Sequence, residues 1–507
     1  MSTSPTEASA PKASIGRQVA FGAAWVMAGA MAGKAVGMGV QVVLGWVLVP
    51  EDFAIYAAAL GLNLVAAALL DGGAERFLLR SGDSYGRVIA ASTRIAYLAN
   101  GLAGLAVLGI AAWAWWWRGD AVLAGVLGVM AVHAATRTPV SMLRTRLRHA
   151  MRFGTVARTE VVAIVFRGVL SVVLALSGLG AFAFVIPLVA SLPVEWALLA
   201  RQAKTLPKPA CDGRADSVLD VLRSTRWIVA ANTALTLAGR GDYLALTIAA
   251  PKVLGVYFFG FQLAVASMQL FMASFRSVLL PGLTGVGDDP VRLRAAARRA
   301  IGTVNLLLPP VCAALALLSP ALVHLVWDGR WDESIVVVQA VALSTAVRAA
   351  SPVGFALMEV HARWVRVAVL NAVDGASLIA VVFVGASIFG EDLAALVWLV
   401  AVQRALIGVT IQCSALSLIG VRPMSMLRWL GPGILALATG VLAVWFWGHW
   451  PSSSNIDLAD GVIGLSIFLA GWSTFVAVFE RGQLRWGLEL LRRRGRPRDP
   501  EMERSDD

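Results

Sequence analysis

Residues 42–62 read VVLGWVLVPEDFAIYAAALGL, and the pattern of this stretch decides the class of fold. An apolar run ends at Val49, the polar sequence Pro-Glu-Asp follows, and a second apolar run begins at Phe53. A helix needs about 20 mostly apolar residues to cross a bilayer. The first run reaches back to Val19 and the second continues to Leu79, so both are long enough. The stretch is therefore predicted to join two transmembrane helices.

The composition extends this prediction to the whole chain. Of the 507 residues, 58% are hydrophobic and only 15% are charged, and the mean hydropathy is +0.74. Soluble domains contain about 45–50% apolar and about 25% charged residues, and disordered chains are less apolar still. The three cysteines, Cys211, Cys312 and Cys413, lie about a hundred residues apart, which fits neither a disulfide scaffold nor a metal or redox motif. With these classes excluded, the sequence predicts a polytopic membrane protein.

A scan for apolar runs of sufficient length predicts fourteen transmembrane spans. The first run is too long for a signal-peptide core of about 7–15 residues, and it is predicted to stay in the mature protein as a helix. In chain order the predicted spans are Val19–Val49, Phe53–Leu79, Val88–Ala112, Ala121–Leu143, Thr155–Ser177, Ala181–Ala200, Trp227–Ala249, Val253–Leu280, Ala300–Val326, Ser334–Met358, Val367–Phe389, Leu393–Leu418, Trp429–Trp447 and Gly461–Phe479.

An internal repeat divides these spans into two sets of six. Pro50-Glu-Asp-Phe-Ala-Ile-Tyr56 aligns with Pro251-Lys-Val-Leu-Gly-Val-Tyr257 at an offset of 201 residues, and Arg137-Thr-Pro139 of span four corresponds to Arg348-Ala-Ala-Ser-Pro352 of span ten. Six is an even number, so both halves have the same orientation. The repeat is therefore predicted to be parallel, about an axis along the membrane normal.

The predicted fold class is thus an all-α polytopic membrane protein with two parallel, repeated six-helix bundles and two further C-terminal helices. The predicted domains are a disordered tail (1–18), an N-lobe (19–201), a cytoplasmic linker (202–226), a C-lobe (227–419), helices thirteen and fourteen (428–480) and a basic amphipathic tail (481–507).

The distribution of charge predicts the orientation. Of the 43 Lys and Arg residues, 31 fall on the side that holds both termini, and only Arg118, Lys252 and Arg330 fall in loops on the other side. The positive-inside rule therefore places both termini in the cytoplasm. The net charge of +12 is then explained by loops beside anionic lipid, and binding of nucleic acid is not expected.

Basic residues inside the spans predict a cationic cavity. A charge near the middle of a bilayer costs about 2.5–3.5 kcal/mol on insertion scales, so such residues face a cavity or a partner. The nine basic residues within spans are Lys34, Arg94, Arg137, Arg158, Arg167, Arg240, Arg276, Arg348 and Arg404. Lys34, Arg137, Arg240 and Arg348 are the deep candidates for a cavity between the lobes, with Arg76 and Arg276 at its cytoplasmic mouth.

The excess of basic over acidic groups in the spans predicts an anionic substrate, and the arginine fork suits phosphate. Ion pairing between helices, for example of Arg167 with Glu160 or of Arg240 with Asp242, is the alternative. The acids Glu160, Asp242 and Asp374 are candidates either for such pairs or for coupling to protons or sodium ions. Neither a catalytic site, a metal site nor a cofactor is predicted.

Several stretches resemble the Wzx-type polysaccharide flippases of the multidrug/oligosaccharidyl-lipid/polysaccharide exporter superfamily, over about residues 20–418. They are Leu48-Val-Pro-Glu-Asp-Phe-Ala-Ile-Tyr56, Leu147-Arg-His-Ala-Met-Arg-Phe153, Leu176-Ser-Gly-Leu-Gly-Ala-Phe-Ala-Phe184, Gly241-Asp-Tyr-Leu244, Leu254-Gly-Val-Tyr257 and Leu322-Val-His-Leu-Val-Trp-Asp-Gly-Arg-Trp331.

The resemblance implies two lobes that rock about a central cavity in the bacterial inner membrane, so that the cavity opens alternately to the two sides of the membrane. The implied cargo is an undecaprenyl-pyrophosphate-type glycolipid, flipped from the cytoplasmic to the outer leaflet for surface or exopolysaccharide synthesis. The cationic cavity would hold the pyrophosphate while the lipid tail stays in the bilayer. Polysaccharide assembly machinery is the implied protein partner.

Three alternatives stay open at this point. Lipid II flippases of the same superfamily also have fourteen spans and cationic cavities. A drug or cation antiporter would have acids dominating its cavity. A membrane glycosyltransferase or ligase would need a large outer loop with acid and base residues, whereas the longest outer connection here runs only from about His449 to Asp460. We therefore expect a transporter and not an enzyme.

Overall fold

The computed structural model describes residues 12–70, 74–81, 84–206, 217–268, 290–361 and 363–420, and six positions between 465 and 473. All regular structure within these ranges is helical. The helices are Lys12–Val47 (α1), Pro50–Leu70 (α2), Ala74–Arg80 (α3), Tyr85–Arg118 (α4), Ala121–Thr136 (α5), Thr138–His149 (α6), Phe153–Leu176 (α7), Phe182–Ala203 (α8), Val218–Ala249 (α9), residues 254–268 (α10), Pro290–Trp327 (α11), Ile335–Val347 (α12), Ser351–Val360 (α13), Trp364–Phe389 (α14) and Leu393–Leu418 (α15).

These helices correspond to the first twelve predicted spans. The helix α3 continues span two, α5 with α6 forms span four, and α12 with α13 forms span ten. Within the described residues, seven helices are long and apolar enough to cross a membrane, and nine if each bent pair counts as one span. The predicted all-helical, polytopic membrane fold is confirmed. Span thirteen and most of span fourteen lie outside the described residues.

Two predicted boundaries differ from the structure. The helix α1 begins at Lys12, inside the predicted disordered tail, and continues without a break to Val47 in the first predicted span. The helix α9 begins at Val218, inside the predicted linker. There Ser217 accepts a hydrogen bond from the backbone N–H of Asp220 at 3.2 Å, which is the arrangement of a helix N-cap. The search for apolar runs missed this start because the first turns of α9 contain charged residues.

Each lobe is a bundle of six spans. In the N-lobe, α1 packs on α7, α4 on α5, and α7 on α8; in the C-lobe, α9 packs on α14, α11 on α12, and α14 on α15. Glycines allow the closest approaches. A Cβ added at Gly375 of α14 would lie 2.9 Å from the backbone nitrogen of Ala238 on α9. Small residues at crossings are typical of helices that pack in a membrane, since they let the backbones meet.

The lobes meet at the predicted outer side through a cluster of aromatic rings, here called the outer contact. Phe53 of α2 is fully buried, and its ring centroid lies 5.4 Å from that of Phe259 and 5.0 Å from that of Trp331 in the C-lobe. The corresponding repeat segments also touch there, because Gly255 lies against the carbonyl of Pro50.

Hydrogen bonds from the C-lobe to the end of α1 complete the outer contact. The indole of Trp331 donates to the carbonyl of Gly45 at 2.8 Å, that of Trp327 donates to Val42 at 3.2 Å, and Arg330 donates to Trp46 at 2.6 Å. The last carbonyls of a helix have no partner within it. Trp331 and Arg330 of one lobe therefore satisfy the carbonyls of Gly45 and Trp46 at the end of the other lobe's first helix.

Candidate functional site

Two spans are broken at the same place in the repeat. The axes of α5 and α6 differ by 44°, and so do those of the α12 and α13 segments. Arg137 lies at the first break and Arg348 at the second, and a proline occupies the first turn of the helix that follows each. Proline lacks the N–H that would continue the preceding helix. The two motifs that revealed the repeat in the sequence are thus the points where spans four and ten bend.

The second break lines a cavity of about 320 Å³ inside the C-lobe. Its walls come from α9, α10, α11, α12, α13, α14 and α15, so it lies within one lobe and not between the two. The lining residues are Leu235, Ala238, Gly239, Phe261, Val265, Leu308, Val341, Ser344, Thr345, Arg348, Ala349, Ser351, Pro352, Phe355, Asn371, Asp374 and Arg404.

Arg348 faces this cavity with a loosely held guanidinium. Its Nη2 lies 3.7 Å from Oδ2 of Asp374, beyond hydrogen-bond distance, and 24% of its side chain is exposed. Within the described ranges its guanidinium makes no hydrogen bond. Asp374 is held from another direction, because Nε2 of Gln403 donates to its Oδ1 at 3.1 Å.

Arg404, the second arginine of the cavity, is held firmly. Its Nη2 lies 3.2 Å from Oδ2 of the fully buried Asp242, and its Nη1 donates to the carbonyl of Ala238 at 3.2 Å. The hydroxyl of Tyr257 donates to the same Oδ2 at 2.7 Å, and the backbone N–H of Tyr243 donates to Oδ1 at 3.1 Å. Asp242 therefore has both oxygens satisfied.

A separate ionic network lies in the N-lobe. The buried Glu195 of α8 lies 2.6 Å from Arg144 of α6 and 3.0 Å from Arg167 of α7. Glu160 of α7 lies 2.9 Å from Arg148 and 3.6 Å from Arg144. This network connects spans four, five and six, whereas the pairs around the C-lobe cavity connect spans seven, ten, eleven and twelve.

The ion pairs differ from the alternatives weighed on the sequence. Arg167 pairs with Glu195 and not with Glu160, and Asp242 pairs with Arg404 and not with Arg240. Pairing depends on how each helix is rotated about its axis, and proximity in sequence does not reveal that. Glu195 was missed, although an acid inside span six could have been found by the search that found the basic residues.

The six predicted site residues are not gathered in the described cavity. Arg348 lines it, while Arg240 is exposed on α9 and Lys34 and Arg137 are partly exposed on their own helices. Nε of Arg137 is buried without a hydrogen-bond partner in the described part of the chain. The side chain of Arg76 and all of Arg276 lie outside the described residues. Arg404, one of the nine basic residues within spans but not one of the predicted site residues, lines the cavity with Arg348.

A sequence profile of the family described as polysaccharide biosynthesis protein matches residues 43–336, which is more than half of the chain. The chain belongs to this family. The match covers α2 to α11, most of the outer contact and the first bent span. No curated protein matches the chain in a search by sequence.

Solved structures show that this member of the polysaccharide biosynthesis family has a transporter fold. The lipid II flippase MurJ in an inward closed conformation superimposes with a TM-score of 0.60 at 11% identity, over 90% of this chain and 99% of that one. MATE in complex with MaD5 gives a TM-score of 0.53 at 16% identity, over 79% and 96%. MATE in the bent conformation gives a TM-score of 0.51 at 15% identity, over 80% of this chain and 96% of that one.

Family and fold together confirm the predicted resemblance to the exporter superfamily. They show a multi-pass membrane fold, and one of the solved structures that share it is a lipid II flippase.

Proposed function

We propose that the protein moves an anionic, polyprenyl-pyrophosphate-linked oligosaccharide from the cytoplasmic to the outer leaflet of a bacterial inner membrane. Transport would proceed by alternating access of the two lobes, with both termini in the cytoplasm and the bound glycolipid passed on to polysaccharide assembly. The open guanidinium of Arg348 is the observation that carries the proposal.

An arginine deep in a span is costly, and the cost falls when its donors are satisfied. Arg404 donates from Nη1 to Ala238 and from Nη2 to Asp242, and only its Nε lacks a partner in the described part of the chain, whereas Arg348 has only a carboxylate at 3.7 Å. A ligand that brings acceptor oxygens would satisfy Arg348 in the same way. Phosphoryl groups offer several such oxygens in a geometry that the arginine fork matches.

The remaining cations extend the proposed path. Lys34, Arg137 and Arg240 are partly or fully exposed on spans one, four and seven, and with Arg76 and Arg276 they would line the route between the lobes. Glu160, Asp242 and Asp374 all lie in ion pairs. We propose that at least one of these pairs changes during the cycle.

The test is complementation of a strain that has lost its own flippase, with surface polysaccharide as the readout and the amount of membrane protein as the control. Arg348→Ala should abolish export, and Arg348→Lys should restore part of it because the charge returns without the fork. Arg94→Ala is the matched control, since Arg94 lies exposed on α4. Full export by Arg348→Ala would contradict the proposal.

Lipid II is the second candidate cargo. The lipid II flippase covers 90% of this chain, against 79–80% for the two MATE structures, so its fold matches more of the sequence. The two cargoes share a polyprenyl pyrophosphate and differ in the sugar. Purified protein in vesicles that contain either lipid would distinguish them, because only the transported one would become accessible to a modifying enzyme on the far side.

A further inference from the structure

We infer that Asp374 is a built-in competitor for the anion site on Arg348, and that binding of a phosphoryl group there is linked to uptake of a proton by Asp374. The inference rests on the proposed function and names the anion subsite within it: Arg348, with Asp374 as its exchangeable partner and Gln403 as the residue that retains Asp374.

The loose geometry of the Arg348–Asp374 pair is the first argument. The two groups are 3.7 Å apart, whereas the equivalent contact between Arg404 and Asp242 is 3.2 Å and is supported by Tyr257 on the same oxygen. Asp374 Oδ2, the oxygen nearer Arg348, accepts no hydrogen bond within the described part of the chain. Exchange of this oxygen for a ligand oxygen therefore breaks no hydrogen bond.

Gln403 keeps Asp374 in place when Arg348 turns to a ligand. Its Nε2 donates to Oδ1 of Asp374 at 3.1 Å and to the hydroxyl of Ser377 at 2.8 Å. A carboxylate that loses a cationic neighbour but keeps an amide donor stays in position. Its free oxygen is then available to a proton.

The lining leaves the guanidinium of Arg348 and the second N–H of the Asn371 amide as donors for a ligand. The hydroxyl of Thr345 and the amide of Asn371 already donate to backbone carbonyls one turn earlier, at 2.7 and 2.9 Å. Ser351 donates to the carbonyl of Gly408 at 3.3 Å. The ligand must therefore supply acceptors. A volume of about 320 Å³ is near the lower limit of ligand pockets, about 300 Å³, which suits a headgroup phosphate rather than a whole glycolipid.

Charge balance then links the anion to a proton. The charged groups that face this region are Arg348 from the break in span ten, Arg404 from α15, Asp242 from α9 and Asp374 from α14, so two positive charges meet two negative ones. Arg240, also on α9, is exposed. A phosphoryl ligand on Arg348 adds negative charge to this balanced set, at least two charges for a pyrophosphate, and a proton on Asp374 offsets one of them. Linkage is reciprocal, so a proton on Asp374 also favours the anion.

The experiment is titration calorimetry of the full-length protein in lipid nanodiscs with inorganic pyrophosphate as the probe. Repeating the titration in buffers of different ionisation enthalpy gives the number of protons taken up on binding. The wild type should bind pyrophosphate with net proton uptake. Asp374→Asn should bind on the order of fivefold more tightly, because the competing charge is gone, and should show no linked uptake from this site. Arg348→Ala should not bind.

Glu51→Gln is the matched control, since Glu51 is exposed in the first turn of α2 and should leave both affinity and proton uptake unchanged. Weaker binding by Asp374→Asn, or undiminished proton uptake in that variant, would overturn the inference, and so would a wild type that binds no pyrophosphate. A variant that is not monodisperse is replaced by Asp374→Ser, for which the same outcomes hold. Failure of the flipping assay alone would overturn the proposed function and leave this binding result standing.

Discussion

At the scale of single residues, the two buried aspartates of the C-lobe hold their arginines differently. Asp242 accepts hydrogen bonds from Arg404, from the hydroxyl of Tyr257 and from a backbone N–H. Asp374 accepts one from Gln403 and lies 3.7 Å from Arg348, beyond hydrogen-bond distance. Breaking a buried ion pair leaves an uncompensated charge and is strongly destabilising. The Asp242 cluster is therefore structural, and the pair between Asp374 and Arg348 is the one suited to change.

Tyr257→Phe tests the structural role of the Asp242 cluster. Loss of the 2.7 Å hydrogen bond to a carboxylate should lower the free energy of unfolding by about 1.5–3 kcal/mol, because bonds to charged groups lie in that range. Thermal unfolding of the purified protein measures the effect. Tyr243→Phe is the matched control, because Tyr243 is also buried but its hydroxyl makes no hydrogen bond to the described residues. Equal melting temperatures for the two variants would contradict this role.

At the scale of helices, the sequence predicted the elements well and their contacts poorly. Apolar runs of sufficient length located the twelve spans that α1 to α15 form, and the Arg-Pro motifs that indicated the repeat lie at the breaks of both bent spans. The start of α9 at Val218 was missed because its first turns are charged. The partners Arg404 and Asp242 are 162 residues apart and meet because α14 packs on both α9 and α15, which brings the Arg404 side chain within reach of α9. No local pattern carries that information.

The break in span ten depends on a glycine of the neighbouring helix. A Cβ added at Gly408 of α15 would run into the Cβ of Arg348 and lie 3.0 Å from its Cα. Gly408→Ala should therefore displace Arg348, cost about 1–3 kcal/mol of stability and weaken pyrophosphate binding. Gly109→Ala on α4 is the control, since a Cβ there meets nothing within 4 Å. Normal pyrophosphate binding by Gly408→Ala would show that α13 is free to move aside.

At the scale of the whole molecule, the outer contact holds the lobes together on the side predicted to face outward. At the opposite end, Val221 of α9 is buried with Leu78 and Tyr85 of the N-lobe, so the lobes also touch there. Alternating access requires these two contacts to open in turn. The outer contact is bridged by aromatic rings and by hydrogen bonds to the end of α1, whereas this opposite cluster is apolar.

Trp331→Phe tests the outer contact. The substitution keeps an aromatic ring against Phe53 but removes the hydrogen bond to the carbonyl of Gly45. The conformation in which the outer side is closed should therefore become less populated. A single cysteine at the buried Ala57, in a background without the native cysteines, should then react faster with a membrane-impermeant reagent from outside. Trp116→Phe is the control, because Trp116 is 85% exposed. An unchanged labelling rate at position 57 in the Trp331→Phe variant would contradict the view that this hydrogen bond stabilises the closed outer side.

The meeting of Pro50–Tyr56 with Pro251–Tyr257 has an evolutionary consequence. A surface that contacts its own copy is the interface of a twofold homodimer, and in such a dimer every substitution changes both sides at once. Here the two copies have diverged separately. Ala54 keeps a methyl group, while Gly255, its counterpart, lies against the carbonyl of Pro50.

The tryptophans that end the third span of each half show the same divergence. Trp327 and Trp331 are buried between the lobes, whereas Trp116 and Trp117 at the end of α4 are exposed. Fusion of two ancestral subunits into one chain allows this, since each half can then acquire its own role. The cavity that Arg348 lines and the buried tryptophans of the outer contact both lie in the second half, while the first half supplies the surface against which those tryptophans pack.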